Sequence, residues 1–150
     1  MCAVAARHGK QKRSLDSLNS QWEAIQESGL GRNLITESAW REELPHIFGP
    51  DSDDFPHAAA AIASGVNYLV TQNLRDFNGE FLISHRVRLV NADEFLLILA
   101  HGQEVFMIEI LRKRISEFSK PGLTLGDYLQ GFSKITPKFT DHIRRAILAI

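Results

Sequence analysis

Asp51 to Phe77 reads DSDDFPHAAAAIASGVNYLVTQNLRDF, and the fold turns on how this stretch is read. It opens with acids, runs into an alanine-rich segment, stops at Gly65, gives a short apolar run and ends in polar residues. That order predicts helix, turn, strand, loop. The helix is expected to begin near Asp53 or Asp54, with Ser52 or Asp53 capping its free amides. Pro56 is compatible because it falls in the first turn, where its missing N–H has no intrahelical partner to lose. Gly65 suits the position just past the helix end, where a left-handed backbone is needed. Tyr68 to Thr71, YLVT, is short and rich in β-formers, as a buried strand requires.

The geometry follows. About ten helical residues at ~1.5 Å each run ~15 Å in one direction. A strand of four or five residues at ~3.3 Å each returns a similar distance. The start of the helix and the end of the strand therefore share one edge of the fold. Asp54 lies at the first, and Asn73 and Asp76 lie just beyond the second. In open α/β sheets, the edge at the carboxyl ends of the strands is where ligands bind. Oxygen donors gathered there suit a hard divalent cation such as magnesium or manganese. Each residue also has a plain structural reading. An Asp at a helix start caps it or favours its dipole, and Asn and Asp after a strand form turns.

DSDDFPHAAAAIASG followed by YLVTQNLRDF resembles the second half of a PIN domain, closest to the larger VapC-type proteins. The resemblance implies a central parallel sheet flanked by helices. It also implies an acidic cluster that binds magnesium or manganese and cleaves RNA, a cytoplasmic toxin of a toxin–antitoxin pair. On it, Asp54 matches the acid at the helix start, Asn73 a position where many PIN domains carry Asp, and Asp76 the acid three residues on. Asp54 and Asp76 are then the expected catalytic metal ligands, with Asn73 and Thr71 expected to contact substrate. The expected partners are RNA, a cognate antitoxin and a second copy of the chain.

A complete PIN domain begins with an apolar strand bearing an Asp, and adds an acid on a helix soon after. This chain has no V-x-D-like opening, and its first strand candidate, Asn33 to Thr36, carries no Asp. The expectation is a domain represented by its later part, α/β but N-terminally incomplete, with a weakened metal site. Glu37, Glu42 and Glu43 are the acids that could join Asp54, and they read more simply as solvated charges. The alternative function is a non-catalytic remnant that binds RNA, an antitoxin or another copy of itself. A third reading is an unrelated α/β domain whose acids are only caps.

Composition bounds these readings. The chain has 150 residues, 44% of them hydrophobic, enough for one domain with a core. Its formal net charge of −1 gives no global sign of nucleic-acid binding, so any RNA contact must be local. Cys2 is the one cysteine, which excludes an internal disulfide and any zinc-ligand spacing and fits a reducing, cytoplasmic setting. The start, MCAVAARHGKQKR, has no apolar run suited to a signal peptide, and no run is long enough to span a membrane.

Three segments are expected: 1–32, a helical N-terminal segment; 33–100, the later part of the PIN-like domain; and 101–150, a helical extension. Leu15, Leu18, Trp22 and Ile25 mark one helix face in the first. Arg7, Lys10, Lys12 and Arg13 read as a solvated helix end. In the second, Glu37 to Leu44 gives a short helix or a loop ended by Pro45, and Phe77 to His85 a short helix or turn. Arg86 to Val90 alternates polar and apolar, as a strand with one wet face. Asn91 and Glu94 have capping-box spacing before a helix over Asp93 to Ala100. In the third, Val105, Ile108, Leu111, Ile115 and Phe118 line one helical face. Thr124 and Asp127 have capping-box spacing again. Thr136-Pro137 starts a last helix with Phe139, Ile143, Ala146, Ile147 and Ile150 on its apolar side. This end resembles the C-terminal extension of the VapC-like proteins. The six histidines are scattered; His57, one turn from Asp54, could approach the acids but reads first as structural. No G-x-S-x-G nucleophile context is present.

Overall fold

The computed structural model describes residues 37–118 and 122–150. By its internal contacts the chain divides into residues 1–36 and Glu37–Ile150, and the described residues belong to the second unit. The expected helix over Leu15 to Ile25, the strand Asn33 to Thr36 and the basic segment before them lie outside the described residues.

The described part begins with α1, Glu37–Arg41, whose two end residues form an i,i+4 ion pair. A 3₁₀ turn at Leu44–His46 takes Pro45 near its start. The alanine-rich segment is α2, Phe55–Ala63, with Pro56 in its first turn and Gly65 at φ +63 beyond its end. Its small Ala58, Ala59 and Ala61 are buried, which lets neighbouring elements approach closely. Strand β1 is Tyr68–Val70 and β2 is Arg88–Val90; they pair in parallel with Leu69 opposite Leu89. Parallel strands need a crossover, and α3, Gly79–Ser84, lies on it, capped by the Asn78 side chain at 3.1 Å from the Phe81 amide.

β2 starts two residues later than the alternation suggested. Arg86 takes the left-handed conformation at φ 65, and the Val87 N–H donates to the Leu82 carbonyl at 2.9 Å. Both residues are used to end α3. Thr71 likewise falls outside β1, although its N–H still donates to the Val90 carbonyl at 3.0 Å.

Four helices follow: α4, Ala92–Ala100; α5, Glu104–Ser116; α6, Leu125–Phe132; and α7, Pro137–Ala149. Both capping boxes form. The Asn91 side chain accepts from the Glu94 amide at 2.8 Å, and Thr124 Oγ1 accepts from the Asp127 amide at 3.1 Å. The cap of α7 is not the one expected. Thr136 makes no side-chain cap, and its hydroxyl bonds the Phe132 carbonyl at 3.1 Å. Asp93, buried at 7% exposure, accepts instead from the Lys138 and Phe139 amides at 3.1 and 2.8 Å. A carboxylate on α4 thus closes the start of a helix more than forty residues later.

Two apolar clusters result. Ile47, Ala58, Ala59, Ala61, Leu82 and Val87 form the first, around the sheet. Ala100, Ile108, Leu111, Leu129, Phe139 and Ile143 form the second, among α4 to α7. The expected apolar faces are only partly buried: Val105 is 59% and Ile150 81% exposed, and Phe118 is exposed too. All three lie at the ends of their patterns, although the Phe118 ring still meets Tyr128 of α6 at 5.8 Å between centroids. With seven α-helices and one two-stranded parallel sheet, the described part is mostly helical and compatible with an α/β class. No helix among the described residues is long and apolar enough to cross a membrane.

Candidate metal site

Helix α2 and strand β1 fold back as the spacing requires, and one carboxylate oxygen each from Asp51, Asp54 and Asp76 lies within 4.8 Å of the others. Two turns deliver them. Ser52–Asp54 is a 3₁₀ turn leading into α2, and Leu74–Asp76 is a second one beyond β1. In 3₁₀ geometry residues i and i+3 eclipse, which puts Asp51 and Asp54 on one side of the first turn. Asp51 caps that turn, its Oδ1 accepting from the Asp53 amide at 2.9 Å. Ser52 and Asp53, the expected caps, do not fill this role. Asp54 holds the N-cap position of α2 but makes no side-chain cap bond. Its carboxylate is turned to the cluster rather than spent on the helix.

The other residues named by the sequence are near by. The Asn73 side-chain amide donates to Asp76 Oδ2, so it fixes that carboxylate. Thr71 Oγ1 accepts from the Asn73 amide at 3.1 Å and shapes the loop between strand and turn. The Asp54 carboxyl is pushed above its ordinary range. Burial is the first cause; the charges of Asp51, Asp76 and Asp53 add to it, and His57 opposes it. His57 is therefore within electrostatic reach of Asp54, although its own side chain is exposed. Glu37, Glu42 and Glu43 do not join the cluster; Glu37 bonds Arg41.

The donor set fits a small hard cation. Magnesium takes octahedral oxygens at ~2.0–2.1 Å, so its ligand atoms stand ~3 Å apart when adjacent and ~4 Å apart when opposite. Oxygens within 4.8 Å of one another need only a small closure to reach that shape. Asp51 was not picked out from the sequence. Its signal was the i, i+3 spacing to Asp54, which brings two acids together in a 3₁₀ turn but spreads them in an extended loop.

Comparison with protein-family models, with curated proteins and with solved structures returns no match to this chain.

Proposed function

We propose that the chain is a PIN-like, VapC-type ribonuclease that depends on a divalent cation. The observation that supports it is the meeting of Asp51, Asp54 and Asp76 at the carboxyl end of β1, where the resemblance expects metal-binding acids. A bound magnesium or manganese ion supplies an activated water and charge stabilisation at the phosphate. Asp51 and Asp54 hold the ion from one turn and Asp76 from the other. Asn73 orients the Asp76 carboxylate, and Thr71 keeps Asn73 in place through its backbone. A cation among the acids would relieve their mutual repulsion further than the Asn73 amide does, so assembly of the site and metal binding would be coupled. Within this reading the resemblance also supplies an antitoxin partner and self-association through the helical extension.

Labelled RNA incubated with the full chain in magnesium or manganese tests it. Cleavage should require the metal and be abolished by Asp54→Ala, with Asp51→Ala and Asp76→Ala losing most of it. Equal cleavage by wild type and Asp54→Ala would assign the hydrolysis to another site or a contaminant and remove the proposal.

A further inference from the structure

An open groove of about 820 Å3 lies beside the acids, lined chiefly by Phe48, Pro50, Phe77, Asn78, Glu80 and Ile83. Its size falls in the range of roughly 300–1,000 Å3 usual for ligand clefts. Its two walls continue the cluster directly. Pro50 precedes Asp51, and Phe77 follows Asp76, each one residue or ~3.8 Å along the chain. The two walls are in ordinary contact at Gly49, where a Cβ would stand 3.5 Å from the Asn78 amide nitrogen.

The lining says what part of a ligand enters. Glu80 is its charged member and no cation lines it among the described residues, so a phosphate is disfavoured there. Two apolar members are exposed, Phe48 at 58% and Ile83 at 63%, while Phe77 is half-buried against the first cluster. Phe48 also ends a row of rings. His85 packs on Phe81 at 4.4 Å between centroids, and Phe81 on Phe48 at 4.6 Å. The rings are tilted by 60° and 50° to one another, and the accessible side of Phe48 offers an aromatic face to a ligand. Asn78 spends its side-chain oxygen on α3, which leaves its NH₂ group to meet a polar edge.

Resting on the ribonuclease reading, we infer that this groove takes an unpaired nucleobase of the strand whose phosphate lies at Asp51, Asp54 and Asp76, stacked against Phe48. Base–aromatic stacking needs no particular sequence, because every base has a flat face. The groove therefore selects single strands over duplexes, whose bases are already stacked.

With calcium in place of magnesium, so that the acids are neutralised, the full chain is mixed with a short single-stranded oligoribonucleotide carrying 5-iodouridine, and cross-linked peptides are mapped. Affinity is measured for that strand and for one of equal length and charge with abasic positions. Cross-links at Phe48 or Phe77 are expected, with binding weaker by roughly five-fold to a hundredfold for the abasic strand and for Phe48→Ala. Ile83→Ser, on the opposite wall, should also weaken binding and guards against a Phe48→Ala variant that loses the Phe81 contact and its fold. Cross-links confined to other peptides, or equal affinity for the abasic strand, overturn the groove while metal-dependent cleavage sensitive to Asp54→Asn keeps the nuclease reading. Base-dependent binding through Phe48 without any cleavage does the reverse. Self-association of the chain abolished by Phe48→Ala assigns the groove to a second copy and overturns it as a base site.

Discussion

Carboxylates are used in opposite ways by the two halves of the described chain. Among the C-terminal helices, acids face amides: Asp93 takes two backbone N–H groups of α7, and Glu94 and Asp127 close capping boxes. Around β1, Asp51 accepts the Asp53 amide and Asp76 the Asn73 side-chain amide, yet both carboxylates also lie within 4.8 Å of each other and of Asp54. An acid paired with amides stabilises the fold whatever the ion content of the solvent. Acids gathered together tax it until a cation or a proton arrives. The first arrangement builds structure and the second keeps a site ready, so the partner of a carboxylate says more about its role than its position in the sequence.

The largest expected effect lies in the helical half. Asp93→Ala leaves two amides of α7 without an acceptor in a buried place, and hydrogen bonds to a charged group are worth about 1.5–3 kcal/mol each. Urea denaturation should show a loss of about 2–4 kcal/mol, with Asp93→Asn losing less. An unchanged midpoint would mean that α7 is capped by water and would dissolve the contrast.

Metal should act only on the other half. Manganese at about 100 times its dissociation constant should stabilise the protein by about 2.7 kcal/mol, seen as a rise in Tm. Asp54→Asn and Asp51→Asn should lose that rise, whereas Asp93→Asn should retain it. A rise that survives Asp54→Asn would place the metal elsewhere.

A smaller gain is expected at Thr140, fully buried with its hydroxyl lacking a partner among the described residues. Thr140→Val removes an unsatisfied group at nearly constant shape and should stabilise by about 1 kcal/mol.

The smallest effect is one of sign. Burial first, and then its acidic neighbours, raise the Asp54 carboxyl, so the folded chain holds that proton more tightly than the unfolded one. Stability from this group therefore falls as pH rises from the ordinary carboxylate range, near pH 4, through the raised value. Glu104 runs the other way. Its own amide and that of Gly102, with His142 at 3.1 Å, hold it below its ordinary range. Its contribution is present above that range and is lost as pH falls through the lowered value. Denaturation between pH 3 and 6 should show Asp54→Asn flattening the first trend and Glu104→Gln the second; parallel curves for wild type and both variants would deny the opposition.

What the sequence revealed was local. Helix, glycine, strand and loop occur at spacings that force Asp54 and Asp76 together, and both capping boxes are written within four residues. What it concealed depends on distance or on a change of helical type. Asp93 reads as an ordinary acid in a first turn, because its partners at Lys138 and Phe139 belong to another helix. Asp51 reads as a loop residue unless the turn after it is 3₁₀. Val105 and Ile150 follow a helical period faithfully yet stay exposed, since a period marks a face but not how far the neighbouring helix extends. Arg86 reads as a strand residue because its positive φ has no glycine to announce it.

The Asp93 bond has a practical consequence for anyone dividing the gene. A fragment stopped before Pro137 would discard the last helix, take Phe139 and Ile143 out of the second cluster and leave Asp93 without its two amides. The final fourteen residues are thus no removable tail.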